Sequence, residues 1–339
     1  MNENALIAGI DVGTNAVRLL VARVREDPSG QIHLERVRET RRITRLGGGL
    51  IDTGRISPEA MARTIGVLKE FREIIAACGM PEIVAVGTSA VREAENGGDF
   101  VRRIREETGL EIEVITGDDE ARRTLVGVRS GLGIGGPGSA PPNFHAMDIG
   151  GGSTEWIVVR EGRVMMVSTM ETGVVKLSDR FLKSDPLSGK ESKELMAGVR
   201  KAVIPTLDGV LERFGWMEGD CFVGTAGTVT TLAALELEME DYDPEEVHNS
   251  RLSADQVRSW YDKLVRMTLA ERRGLPGLET GREDLIIPGS ALLLAAMERM
   301  KADEVVVCDW GLREGIVIDR FNRNRRNESF FKTPYRSDW

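Results

Sequence analysis

Short apolar runs separated by polar turns dominate the start of the chain. Leu6 to Ile10 and Val17 to Val24 flank a glycine-containing turn and predict a β-hairpin. Ile32 to Ile43 alternates in character and predicts a third strand. A long amphipathic helix is predicted next, running to about Cys78. Ser57 is its N-cap, Pro58 lies in its first turn, and Gly79 and Pro81 stop it. Ile83 to Gly87 predicts a buried strand, Asp99 to Thr108 a helix closed by Gly109, Ile112 to Ile115 a short strand and Asp118 to Ser130 another helix.

The same order then recurs. Phe144 to Ile149 predicts a strand ending in a turn at Asp148, and Glu155 to Val159 with Arg163 to Ser168 a second hairpin. Lys190 to Phe214 predicts a helix and Cys221 to Val223 a strand. Gly224 to Thr231 reads as a glycine/threonine turn opening a further helix. Helices are expected at Ser253 to Met267, Leu269 to Arg273 and Gly289 to Met300. Glu304 to Cys308 predicts a strand, and Leu312 to about Asn322 a last helix. Strands followed by alternating helix and strand, twice over, predict an α/β chain with two similar lobes and a cleft between them. Gly131, Gly133 and Gly136 fit a GxGxxG spacing. They follow a helix and lead into a strand, which is the wrong context for dinucleotide binding and predicts a surface loop.

Composition narrows the picture. The chain has 339 residues, 41% of them hydrophobic, which suffices for two domains. A formal charge of −9 argues against general nucleic-acid binding. Arg36, Arg38, Arg41, Arg42 and Arg45 form a local basic run, either a patch for a polyanion or a solvated strand face. Cys78, Cys221 and Cys308 lie far apart with no CxxC spacing, so neither a disulfide framework nor a zinc site is suggested. No signal peptide and no span long enough for a bilayer is visible, and a cytoplasmic protein is expected.

The candidate chemistry lies in the turns. Asp11-Val12-Gly13-Thr14-Asn15 and Asp148-Ile149-Gly150-Gly151-Gly152-Ser153-Thr154-Glu155 each put an aspartate at a strand end, then glycine and a small hydroxyl residue. Glycine lets the backbone turn tightly and present its N–H groups to phosphate oxygens. Asp11, Asp148 and Glu155 are hard oxygen ligands suited to Mg²⁺. Seven residues along a hairpin can return Glu155 to the side of Asp148. Thr88, Ser89, Arg92 and Arg18 can bind an anion. Gly224, Thr225, Gly227 and Thr228 form a third such turn at a helix N-terminus. Glu120, in the acidic start of a helix, is either a dipole complement or a carboxylate able to activate water. No GxxxxGK[ST] loop, kinase signature or GxSxG elbow is present. The residues therefore favour in-line attack on a phosphoanhydride.

Five segments together resemble the Ppx/GppA phosphatases, exopolyphosphatases and guanosine pentaphosphate phosphohydrolases. They are Gly9 to Arg18, Gly87 to Ala94, Val114 to Arg122, Asp148 to Glu155 and Leu312 to Gly315. The resemblance implies two ribonuclease-H-like lobes of the actin/hexokinase/Hsp70 superfamily, over 1–124 and 125–322, with 323–339 as a polar tail. The last helix is a candidate to cross back to lobe one. It implies Glu120 as general base, and Asp148 and Glu155 as carboxylates that position magnesium and water. It places phosphate on Asp11, Gly13, Thr14, Asn15, Arg18, Ser89, Arg92 and Gly150 to Thr154. Arg282 falls in a looser match to the nucleotide side. A monovalent cation is a further candidate cofactor. The chain resembles the short two-domain form, so inorganic polyphosphate and guanosine polyphosphate both stand as substrates. Alternatives are a kinase of the same fold and a non-catalytic sensor of guanosine tetraphosphate. A homodimer is compatible with the chain, with no nucleic acid or membrane as partner. Segments 125–129 and 310–314 are expected to be the crossovers between the lobes.

Overall fold

The computed structural model describes residues 4–28, 31–132 and 140–326. The first half runs β1 (Asn4–Val12), β2 (Ala16–Glu26), β3 (Ile32–Ile43), α1 (Leu50–Thr53), α2 (Pro58–Ala77), β4 (Glu82–Gly87), α3 (Ser89–Glu93), α4 (Gly97–Thr108), β5 (Ile112–Val114) and α5 (Gly117–Gly131). The second runs β6 (Phe144–Ile149), β7 (Thr154–Arg160), β8 (Arg163–Met170), α6 (Val174–Phe181), α7 (Gly189–Phe214), β9 (Cys221–Thr225), α8 (Ala226–Glu236), α9 (Pro244–Val247), β10 (Arg251–Ser253), α10 (Ala254–Leu264), α11 (Leu269–Arg273), α12 (Ile286–Met300), β11 (Glu304–Cys308) and α13 (Leu312–Arg326).

The two sheets repeat one plan. The first has the order β3-β2-β1-β4-β5, and the second β8-β7-β6-β9-β11 with β10 added at its edge. In each, the opening three strands are antiparallel and the next two join in parallel, while the edge strand β10 pairs antiparallel with β11. Parallel neighbours need crossover helices. α2 supplies one: Ser57 caps it by accepting from the Ala60 N–H at 3.2 Å, and Leu68, Phe71 and Ile75 on its buried face pack on the first sheet. β6 is buried along its whole length between helix layers.

Two helices cross between the halves. α5 follows the first sheet in sequence, yet Ala121, Leu125 and Val128 pack with Phe144, Ile157 and Val223 of the second. α13 follows the second sheet, yet Leu312, Ile316, Val317 and Phe321 pack with Ile7, Leu20 and Val86 of the first. Where the two meet, backbone touches backbone. A Cβ on Gly315 would lie 1.7 Å from the Arg123 carbonyl oxygen, and one on Gly127 would lie 2.1 Å from that of Gly311.

Several boundaries differ from expectation. The last helix continues to Arg326, because Phe321 still packs on the first sheet; 327–339 lie outside the described residues. α12 starts at Ile286, since Pro288 in a first turn lacks only an N–H that has no helical partner. α10 ends at Leu264. α6, missed between a hairpin and a helix, starts at Val174, with Gly173 in extended backbone as its N-cap. β9 runs to Thr225, so Gly224 and Thr225 are strand residues and α8 begins at Ala226. Gly131 closes α5, while Gly133 and Gly136 lie outside the described residues. Among the described residues no helix is long and apolar enough to cross a membrane.

Candidate active site

The two aspartate–glycine turns face each other across a cleft of about 600 Å³. Their backbones match. The Gly13 N–H bonds the Ala16 carbonyl at 3.1 Å and the Gly150 N–H bonds that of Ser153 at 3.0 Å. The turns also touch: a Cβ on Gly152 would lie 2.1 Å from the Ser89 Oγ and 2.7 Å from the Thr14 Oγ1. α6 then fixes the second turn, its Val174 and Val175 N–H groups bonding the Gly150 and Gly151 carbonyls at 3.0 and 2.8 Å. The N–H groups of Gly151 and Gly152, like those of Thr14 and Asn15, bond no backbone carbonyl among the described residues. Such donors on opposed glycine turns fit an anion of several phosphoryl oxygens.

Four carboxylates converge at the turns. Asp11 pairs in register with Arg18 on β2, which donates to it at 3.5 Å. Asp148 pairs in register with Glu155 on β7, so the hairpin returns the second acid beside the first. Glu120 reaches them from the first turn of α5, whose N-cap Thr116 accepts from the Asp119 N–H at 3.1 Å. Burial pushes the Glu120 carboxyl up to about 8, with Asp148 and Asp11 adding and Arg92 opposing. Burial likewise lifts Asp11 to about 6 and raises Asp148 and Glu155, whose neighbouring acids add to its rise.

Each expected site residue has a definite place. Asp11, Gly13, Thr14, Asn15, Arg18, Ser89, Glu120, Asp148, Gly150, Gly151, Gly152 and Ser153 line the cleft, and so do Thr225, Gly227, Thr228 and Arg282 further along it. Four stand back from the wall. Arg92 donates to Glu120 at 3.2 Å and to the Ile115 carbonyl at 2.9 Å. The Thr154 hydroxyl bonds the Thr172 carbonyl at 2.6 Å. Glu155 is buried beside Asp148, and Gly224 is packed under Val229 and Val305. Within the basic run, Arg36, Arg41, Arg42 and Arg45 all have carboxylate partners.

Sequence reasoning missed other residues. Thr124, one turn after Glu120, donates to the Asp148 Oδ2 at 3.0 Å. Its signal was the i,i+4 spacing on a helix already singled out. Glu93 accepts from Ser89 and from Lys176 of α6 at 2.7 Å, tying the two halves beside the cleft. Glu314 is buried and accepts from Arg313 and from the Gly311 N–H.

Hard carboxylate oxygens are the right donors for a magnesium ion. Asp11 Oδ1 and Glu155 Oε1 are buried with no hydrogen-bond partner, so the donor set fits. No group of three or more acidic, histidine or cysteine side chains among the described residues forms a ready cage. Such an ion would therefore keep waters, as Mg²⁺ ordinarily does.

The chain is similar to known proteins over nearly its whole length. The Ppx/GppA phosphatase family profile matches residues 21–324. Exopolyphosphatase 2 of Mycobacterium tuberculosis is 35% identical over 323 residues, covering 92% of this chain and 97% of that one. The crystal structure of the Aquifex aeolicus family member superimposes with a TM-score of 0.76 at 33% identity, over 95% of this chain and 99% of that one. An exopolyphosphatase from Cytophaga hutchinsonii gives 0.82 at 26% identity, over 94% and 98%. The chain belongs to the Ppx/GppA phosphatase family, shares the fold of its solved members, and is a hydrolase acting on phosphoanhydrides.

Proposed function

We propose that the protein is a magnesium-dependent exopolyphosphatase of the cytoplasm, releasing orthophosphate from the end of inorganic polyphosphate. One observation carries this reading. A buried glutamate, Glu120, lines the cleft at the acidic end of two opposed turns, where the Thr14, Asn15, Gly151 and Gly152 N–H groups bond no backbone carbonyl among the described residues. The terminal phosphoryl group is held by the Thr14, Asn15, Gly151 and Gly152 N–H groups, the Thr14 hydroxyl and Arg18, and by the Ser89 hydroxyl when it turns to the substrate from Glu93. Glu120 takes a proton from a water whose oxygen attacks the terminal phosphorus. The P–O bond to the next phosphate breaks, and the shortened chain leaves as the anion. A carboxyl that holds its proton up to about 8 is a stronger base than a surface glutamate. Arg92 orients it through a hydrogen bond, and the Thr124 hydroxyl orients Asp148. Asp11, Asp148 and Glu155 would hold the magnesium ion, whose charge neutralises the phosphoryl oxygens. The division at 124/125 falls inside α5, consistent with that helix serving as a crossover.

Hydrolysis of guanosine pentaphosphate is the second reading. Tyr242, half exposed on the cleft wall near Met239, Leu275 and Leu278, offers an aromatic face for a base. Glu120→Gln tests the shared chemistry. Phosphate release should fall by at least about a hundredfold while polyphosphate binding persists; unchanged turnover refutes the assignment of the base.

A further inference from the structure

Beyond the glycine turns the cleft wall carries a group of arginines set among acidic residues. Arg18 from β2, Arg41 from β3 and Arg282 from the segment before α12 all line it. Their charges bear on one another. Burial, and then the guanidiniums of Arg282, Arg18 and Arg313, push Arg41 down to about 8; burial and Arg18 push Arg282 down to about 10.

One carboxylate answers both. Glu279 pairs with Arg41 and accepts from the Arg282 Nε at 2.8 Å. No other carboxylate among the described residues forms an ion pair with either arginine, and two acids on the same wall are engaged elsewhere. Glu39 is taken by Arg36 and Arg313, and Asp309 by Arg36 and Tyr242. Arg282 cannot retreat, since its guanidinium fills the space over Gly227, where a Cβ would lie 1.7 Å from Nη1. The Glu279 side chain is 38% exposed, so solvent and solutes reach it. It also sits between cations from opposite sides of the cleft, Arg41 on the first sheet and Arg282 on the second half.

A carboxylate between two guanidiniums occupies the position a phosphate oxygen would take. We infer that Glu279 is a resident counter-anion. It holds the seat made by Arg41 and Arg282 until a phosphoryl group of the substrate, upstream of the one being hydrolysed, takes both guanidiniums and displaces it. The inference rests on a polyphosphate-like substrate. Arg41 then sets preference for longer phosphate chains, and Glu279 sets how much binding strength is given up to empty the seat.

The test uses the full chain with Glu279→Gln, Glu279→Ala, Arg41→Gln and the Arg41→Gln/Glu279→Gln double variant. Each is titrated with inorganic tripolyphosphate by calorimetry in EDTA, and KM for polyphosphate is measured with Mg²⁺. Both Glu279 variants should bind tripolyphosphate roughly three- to tenfold more tightly than the parent, the effect of removing one competing, partly exposed ion pair. KM should fall in parallel, and the gain should vanish in the double variant. A merely structural ion pair predicts weaker binding, because two like charges are left unpaired. Equal or weaker binding by both Glu279 variants overturns the inference. A parent enzyme that releases no phosphate from polyphosphate instead refutes the substrate reading, and the calorimetry still decides the role of Glu279.

Discussion

Glu120→Gln should stabilise the protein, and increasingly so as pH rises. Gln keeps the shape and can still accept the Arg92 hydrogen bond, but it cannot ionise. In the parent, burial lifts the Glu120 carboxyl from its ordinary 4.5 to about 8. The folded state then keeps a proton that the unfolded chain gives up from 4.5 upward. Stability therefore falls as pH rises through this window and levels off above about 8. Moving one carboxyl from 4.5 to about 8 costs at most about 5 kcal/mol. Asp148 and Asp11 share the repulsion, and a proton retained on one relieves the others. The part assignable to Glu120 is then on the order of 2–3 kcal/mol. Urea denaturation of both proteins in EDTA at pH 5 and pH 8.5 measures it. The gain should be below about 1 kcal/mol at pH 5 and two to three times larger at pH 8.5. A gain that is flat or shrinks with pH would mean that Glu120 is not held in a charge-averse site.

Other perturbations follow from the same geometry. Gly152→Ala would drive a methyl into Ser89, which is already bonded to Glu93, and into Thr14. We expect kcat/KM to fall about a hundredfold or more with an unchanged circular dichroism spectrum; near-normal activity would place phosphate elsewhere. Gly315→Ala would put a methyl against the Arg123 carbonyl and force α5 from α13. It should cost roughly 3 kcal/mol in thermal denaturation, and a loss under about 1 kcal/mol would contradict the close crossing. kcat/KM should rise with pH as Glu120 loses its proton, and Arg92→Ala should move that limb to higher pH, because Arg92 favours the charged form. A downward move would separate Arg92 from the base.

Much of this was legible in the sequence because the pattern repeats. The hairpins at Asp11 and Asp148 announce themselves through alternation and glycine, and the expected return of Glu155 to Asp148 is met by the strand register. Glu120 was different. Three acids in a row at a helix start look alike, and only the packing of α5 on the second sheet buries the third. Crossings of this kind join residues far apart in sequence, so Glu93–Lys176 and Arg41–Glu279 carry no local signal. The basic run shows the same limit. Its spacing reads as a patch, but partners from Glu70 to Asp309 pair four of its members, and three of these, Arg36, Arg41 and Arg45, find partners more than two hundred positions away. Ala226, with φ of 65°, lies in left-handed backbone at the start of α8, a position at which a sequence reading expects glycine or asparagine.

The most direct test of the central claim is orthophosphate release with Mg²⁺ from long polyphosphate, tripolyphosphate, guanosine pentaphosphate and ATP in parallel, by the parent and by Glu120→Gln. The account predicts fast release from polyphosphate by the parent, abolished by EDTA, and a loss of at least about a hundredfold in the variant. No release from polyphosphate, or equal release by both proteins, would contradict it.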